Sequence, residues 1–332
     1  MIAQLDNIYL KLRPLRVITR LVSYSLFEGR PVTTRGQWIN PLVFAHFAIE
    51  KRLPQMKKVI KPIFITGSGR SGTTMLGVLL SMHRVLGFLN EPKAMWHSIY
   101  PNEDVIGSYG AHDNARYVLD ENDATPEVIR YANRLFGAYL RSTFNERVVD
   151  KYPEHIFRLS FVRKIFPDSK FIFLVRNGWD TCVSIDLWSK RLGKHINGET
   201  HDWWGVNQRK WHLMLEQLVP KEPLLADYQS DISGFSDHIN MAAVEWIITM
   251  QFGLRQCQLH NDAIILIRYE DLVANPGEEL GKILEFCELT SDPVFFEYAR
   301  STLQSGRSHK PFKLHDSIRP AFELTMKELG YQ

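Results

Sequence analysis

The segment running from Pro62 to Leu76, Pro-Ile-Phe-Ile-Thr-Gly-Ser-Gly-Arg-Ser-Gly-Thr-Thr-Met-Leu, constrains the fold more than any other part of the chain. Its apolar start reads as a buried strand, its glycines as a turn, and Thr73 and Thr74 as the opening of a helix. Such a turn aims successive backbone N–H groups at one spot, with the positive end of a helix behind them, and so makes an anion cradle. Gly67, Gly69 and Gly72 let the backbone approach a phosphate closely. Ser68, Ser71, Thr73 and Thr74 supply hydroxyls around it. The spacing nearly reproduces the nucleoside-triphosphate loop G-x-x-x-x-G-K-[ST]. Thr73 stands where that loop carries its lysine, and the cation sits inside the turn as Arg70. A phosphate cradle that does not clamp a triphosphate is the expectation. The bland alternative is an ordinary strand–turn–helix corner.

A chain of 332 residues accommodates one large α/β domain or two small ones. A formal net charge of +3 is too weak to indicate a nucleic-acid partner and is compatible with a local basic site for an anionic ligand. Cys182, Cys257 and Cys287 are far apart and fit no metal spacing; they read as small core residues of a reducing, cytoplasmic protein. No secretory signal is read at the N-terminus, and no run approaches the ~18–20 apolar residues of a membrane span. Residues 10–28 are amphipathic and basic, with Lys11, Arg13, Arg16 and Arg20 among aliphatic residues. They either lie on an anionic membrane surface or pack an apolar stripe on the body.

Residues 1–60 read as a helical N-terminal extension packed on the body, interrupted at Pro31 and Pro41. Residues 61–332 read as the main domain, with insertions at about 101–145 and 187–236. Strands are expected at 61–67, 147–151, 170–175 and 263–268. Helices are expected at 73–82, 125–143, between Pro153 and Pro167, from about Trp179, at 237–259 and at 277–287. The acidic stretch 101–124 reads as an exposed loop or lid, and 189–235 as irregular and rich in tryptophan. This alternation implies an α/β fold, a parallel sheet with right-handed crossovers. Ligands in such sheets sit beyond the carboxyl ends of the strands.

A second informative stretch leaves the third of those strands. Arg176 lies at its exit, and Ser184 lies about two turns into the helix that follows. A guanidinium fork with a hydroxyl suits a phosphate monoester. A nucleotide hydrolase more often places an aspartate for magnesium at this strand end. The chain therefore reads as two separated phosphate sites, with no metal expected.

On these residues the chain resembles the sulfotransferases that use 3′-phosphoadenylyl sulfate (PAPS), most closely the branch containing the tyrosylprotein sulfotransferases. The Gly67–Thr74 turn is similar to that family's 5′-phosphosulfate loop, and Arg176 with Ser184 to its 3′-phosphate pair. Asn90-Glu91-Pro92 resembles the catalytic glutamate motif. Val149-Asp-Lys151-Tyr-Pro153, Arg268-Tyr269-Glu-Asp-Leu-Val273 and His309-Lys310-Pro311 resemble further segments, so the likeness covers roughly 61–100, 146–186 and 263–330. It implies a P-loop-like α/β domain that moves a sulfuryl group from PAPS to an acceptor hydroxyl and leaves adenosine 3′,5′-bisphosphate.

In that scheme Glu91 is the general base and Lys151 contacts the bridging oxygen. Ser68, Gly69, Arg70, Ser71, Gly72, Thr73 and Thr74 hold the 5′ side, Arg176 and Ser184 the 3′ side, Tyr269 lies near adenine, and Arg307 and Lys310 close over the nucleotide. An ordinary glutamate is a weak base, so burial has to raise its proton affinity. His83, His97, His155 and His201 are the rival bases. The secretory anchor and disulfides of the tyrosylprotein branch are not read here, which favours a carbohydrate, lipid-linked or small-molecule hydroxyl over protein tyrosine. Trp188, Trp203, Trp204 and Trp211 suit an acceptor lid or a core-anchored or dimer-forming insertion. The rivals to this reading are a P-loop kinase or NTPase and a nucleotide-binding scaffold without catalysis.

Overall fold

The computed structural model describes residues 4–110, 114–303 and 311–331. A five-stranded sheet forms its centre: β1 (Ile63–Gly67), β2 (Leu86–Asn90), β3 (Arg147–Lys151), β4 (Lys170–Val175) and β8 (Ile264–Arg268). The strand order is β2-β3-β1-β4-β8, and every pairing is parallel. The central strands are apolar throughout because both faces are covered. Phe64, Phe171 and Phe173 pack on one side, while Ile63, Ile65, Ile172 and Leu174 pack on the other. This is the α/β sheet flanked by helices that the sequence implied.

Helix starts follow the local chemistry. Thr125 caps Pro126–Thr143, Asn177 caps Gly178–Leu192, and Asp237 caps His238–Leu259, each accepting a backbone N–H from the first turn. Four elements of the sheet and their crossovers fall where the pattern placed them. Strand β2, which carries Asn90 to the edge of the site, was not anticipated. Nor were the helices Pro293–Thr302 and Arg319–Glu328.

Two loop readings are corrected. The stretch 189–235 is not irregular: β5 (Lys194–Ile196), β6 (Glu199–Asp202) and β7 (Gly205–Val206) form a small antiparallel sheet. Asn197 and Gly198 both adopt positive φ, giving the two-residue turn that right-twisted hairpins prefer. The acidic stretch 101–124 is not simply exposed. Glu103 and Asp104 are buried; Glu103 meets Arg158 at 2.7 Å, and Asp104 accepts the backbone N–H groups of Gly107, Ser108 and Tyr109.

The N-terminal segment folds as helices Asn7–Leu12 and Pro14–Val22, a π-helical turn Ser23–Phe27, and a helix Asn40–Glu50. Three of its arginines face the body. Arg13 pairs with Asp292 at 2.6 Å, Arg16 donates to the carbonyls of Arg84 and Leu86, and Arg20 pairs with Glu28 at 2.5 Å. The apolar residues of Pro14–Val22 divide: Val17 and Val22 pack on the core, while Leu15, Ile18 and Leu21 face outward. Among the described residues no helix is long and apolar enough to cross a membrane.

Candidate functional site

The carboxyl ends of β1, β2, β3, β4 and β8 meet on one side of the sheet, and the glycine turn leaves β1 there. Gly72 sits at φ +91°, caps the helix Thr73–Ser81, and lies so close to Tyr269 that a Cβ would stand 2.5 Å from its ring. A Cβ on Gly69 would stand 2.3 Å from the indole of Trp203. Arg70, between them, adopts φ +69°, a left-handed conformation uncommon for a side-chain-bearing residue. Ser68, Ser71 and Thr73 are buried. The Ser71 hydroxyl is buried with no hydrogen-bond partner, a costly state that an oxyanion in the cradle relieves.

Arg70, Arg176, Ser184 and Tyr269 converge on this turn. The Arg70 Nε donates to the Ser184 hydroxyl at 3.1 Å. The Arg176 guanidinium donates to the Arg70 carbonyl at 3.0 Å and lies over the Tyr269 ring at 4.8 Å, while its Nε is buried and unpartnered. Among the described residues no carboxylate bridges Arg70 or Arg176. Burial pulls the Arg70 guanidinium pKa down, and the like charges of Arg191 and Arg176 pull in the same direction. Two guanidinium groups, of which Arg70 feels a nearby carboxylate, that of Glu91, together with an unpartnered hydroxyl and a glycine turn, form a donor set suited to an anion.

Glu91 follows β2 at φ +49°, held by its backbone N–H on the Lys151 carbonyl at 2.7 Å. Its carboxylate is ion-paired with Lys151, whose side chain is almost fully buried, and lies 3.5 Å from Lys93. Lys93 also lies 3.6 Å from Glu154. Burial pushes the Glu91 carboxyl up, but the two ammonium groups outweigh it and bring it down to about 2. The sequence argument required the opposite shift. The difference arises because Lys151 is turned onto the carboxylate itself.

A cavity of about 400 Å³ opens from the turn past Glu91 toward the small sheet. Trp188 and Trp203 line it, with their rings 5.4 Å apart at near right angles. Trp203 is fixed by its indole N–H on Glu245 at 2.6 Å and by Lys210 over its ring at 4.6 Å. Trp204 and Trp211 are core residues, packed on each other at 5.7 Å, and Trp204 donates to His238. The tryptophan cluster therefore divides into a cavity pair and a core pair.

The structure thus brings Ser68 to Thr74, Glu91, Lys151, Arg176, Ser184 and Tyr269 to one side of the sheet. Arg307 and Lys310 lie outside the described residues. Of the candidate histidines, His201 lines the cavity, His83 bonds the Thr290 carbonyl at 2.8 Å, and His155 is buried 3.7 Å from Asp150. Lys93, Glu154 and Glu245 escaped the sequence reading, as did Val32, Thr33 and Thr34 of the N-terminal segment, which line the cavity. Lys93 carried a faint signal, two residues beyond Glu91 in the first turn of a helix; the N-terminal residues carried none.

With this geometry in hand, comparison with known proteins is informative. The description "Sulfotransferase family" matches residues 62–225. Protein-tyrosine sulfotransferase 1 of Danio rerio is 24% identical over 239 residues, covering 68% of this chain and 53% of that protein. The protein-tyrosine sulfotransferase of Drosophila melanogaster is 23% identical over 231 residues, covering 68% of this chain and 38% of that protein. The chain thus spans about half or less of the length of these relatives. The crystal structure of sulfotransferase STF9 from Mycobacterium avium shares the fold, with a TM-score of 0.50, 12% identity, and coverage of 96% of this chain and 87% of that one. Residues 62–225 thus match the sulfotransferase family, and the chain shares the fold of a solved sulfotransferase.

Proposed function

We propose that the chain transfers a sulfuryl group from PAPS to an acceptor hydroxyl, releasing adenosine 3′,5′-bisphosphate. The observation that carries this is the convergence of Arg70, Arg176 and Ser184 on the glycine turn. The backbone of Ser68–Thr74 and the Ser71, Thr73 and Thr74 hydroxyls would hold the 5′ end of the nucleotide. Arg176 and Ser184 would hold the 3′-phosphate, and Tyr269 would pack near the base. PAPS supplies the activated sulfuryl group; the rest of the chemistry is positioning and charge neutralisation by this chain.

Lys151 and Glu91 are the polar pair nearest the reaction. In the structure they neutralise each other. An anion seated on the turn competes with Glu91 for Lys151, which leaves the carboxylate less stabilised and raises its affinity for a proton. Glu91 then serves as the base toward the acceptor hydroxyl, and Lys151 as the cation at the leaving oxygen. The Trp188 and Trp203 faces suit a flat, amphipathic acceptor such as a sugar ring or the head of a lipid-linked glycan. Protein tyrosine is the acceptor named for the zebrafish and fly relatives.

The test is calorimetric titration with adenosine 3′,5′-bisphosphate and with ATP plus magnesium, followed by incubation with radiolabelled PAPS and an acceptor panel of glycans, lipid-linked sugars and tyrosine peptides. Tight bisphosphate binding with label transfer is expected. Magnesium-dependent ATP binding in its place points to a kinase or NTPase. Bisphosphate binding with no label transferred to any acceptor points to a scaffold.

A further inference from the structure

The N-terminal segment packs Tyr9, Phe27, Val43 and Phe47 into the core but leaves a second set of apolar side chains in solvent. On the helix Pro14–Val22, Leu15 is 81% exposed and Ile18 63%, with Leu21 on the same outward side. Trp38 is 78% exposed, and Leu42 and Ile49 project from the helix Asn40–Glu50. Phe144, at the end of the helix Pro126–Thr143, is 90% exposed. Isolated exposed leucines need no explanation, but a set this large on adjoining elements does.

These elements adjoin through side-chain contacts. Arg16 donates to the Asn145 side chain at 3.1 Å and Lys57 to the Asn145 carbonyl at 2.6 Å, beside Phe144. Arg141 reaches Glu50 at 2.5 Å and the Met56 sulfur at 3.0 Å. Helix Pro14–Val22, the segment after Glu50, and the end of the helix carrying Phe144 are therefore neighbours.

The exposed charge of this segment is predominantly basic. Residues 4–61 contain three carboxylates, and each is engaged: Asp6 by Tyr298 at 2.7 Å, Glu28 by Arg20, and Glu50 by Arg141. Lys11, Arg35, Arg52 and Lys58 are exposed. Glu146 is the exposed carboxylate adjoining Phe144. Exposed aliphatic residues, an outward tryptophan and a cationic rim are the features of an interfacial surface that buries its apolar side at the headgroup boundary. Arg13, Arg16 and Arg20, turned inward, anchor the helix to the body and leave it rigid in this orientation.

We infer that this N-terminal side docks on an anionic lipid bilayer, lying on it without spanning it. The inference is independent of the reaction assigned to the cavity. It is tested by co-sedimentation of the full chain with sucrose-loaded vesicles, either phosphatidylcholine alone or phosphatidylcholine containing phosphatidylglycerol. Binding to the anionic vesicles, weakened by added salt, is expected. Lys11→Gln and Arg52→Gln are each expected to weaken it roughly fivefold. The double variant Leu15→Asp, Ile18→Asp is expected to weaken it more than ~50-fold at an unchanged melting temperature, since both positions face water. Equal binding to both vesicle types, binding unaffected by the double variant, or no binding would overturn the inference. So would a concentration-dependent dimer, seen by analytical ultracentrifugation, that the double variant dissolves; that result would assign the surface to a second copy.

Discussion

Gly69→Ala tests whether Trp203 and the glycine turn form one mechanical unit. The Cβ would stand 2.3 Å from Cη2 and 2.6 Å from Cζ2 of the Trp203 indole. Ordinary contact begins near 3.4 Å, so the ring must retreat by about 1 Å. Gly69 has no positive φ, so alanine imposes no backbone strain of its own. The whole cost therefore falls on Trp203. A 1 Å retreat stretches its 2.6 Å hydrogen bond to Glu245 past useful length, a loss of about 1.5–3 kcal/mol for a bond to a charged group. Lys210 remains 2.5 Å from Glu245, so that carboxylate is not left alone and the low end applies. Weakening of the Lys210 contact on the ring adds about 0.5 kcal/mol.

The expected sum is about 2 kcal/mol, which for a chain of this size lowers Tm by about 4 °C or less. The decisive measurement is a double-mutant cycle with Trp203→Ala, read by thermal unfolding. In the Trp203→Ala background Gly69→Ala should cost less than about 0.5 kcal/mol, giving a coupling near 1.5–2 kcal/mol. Strictly additive costs would refute the reasoning.

Other outcomes follow from the same geometry. Arg176→Ala should weaken adenosine 3′,5′-bisphosphate binding by about 1.5–3 kcal/mol in calorimetry, and an unaltered dissociation constant removes it from the site. Ser71→Ala should leave the free protein as stable as before or about 1 kcal/mol more so, because its buried hydroxyl is unpartnered, while lowering bisphosphate affinity several-fold. Glu91→Gln should lower turnover at least ~100-fold with bisphosphate binding retained. The Glu91 carboxyl is depressed to about 2, so its pairing with Lys151 stabilises the fold fully above the unfolded carboxylate pKa of about 4.3 and loses that contribution as pH falls toward 2. Glu91→Gln should therefore flatten the acid limb of a stability–pH curve, modestly because the side chain is 39% exposed. Trp204→Ala should cost about 3–5 kcal/mol in urea unfolding because the ring is fully buried.

The central sheet was legible because its strands are apolar on both faces, a pattern that parallel packing demands and little else produces. The turn and the Arg176–Ser184 pair were legible for a related reason: their spacing lies within single local units, so sequence distance converts directly into geometry. Strand β2 escaped because Leu86–Asn90 is short and follows the apolar end of the helix Thr73–Ser81, so no change of period marks its start. The β5–β6 hairpin escaped for another reason. Its strands, Lys-His-Ile and Glu-Thr-His-Asp, carry no alternation, although Asn197-Gly198 between them was a readable turn signal.

The charge state of Glu91 was not legible because it depends on Lys151, sixty residues away, and on which of two partners that lysine faces. Lining residues 32–34 depend on the N-terminal segment reaching β2 through Glu28, which accepts the Asn90 N–H at 2.9 Å. Only tertiary packing reveals such a reach. The outward face of Pro14–Val22 shows the same limit, since an amphipathic period fixes that a helix has two sides but not which one meets the body.

Arg70 ties the glycine turn to Arg176 and Ser184, its carbonyl accepting from Arg176 and its Nε donating to the Ser184 hydroxyl. The loop thus behaves as a caliper whose jaws share one pivot. On the proposed function, a nucleotide that fills one jaw alone would leave the pivot unbraced, and removing either terminal phosphate is expected to cost more affinity than that group's own contacts provide. Discrimination by length would then come from the scaffold itself, before any acceptor arrives.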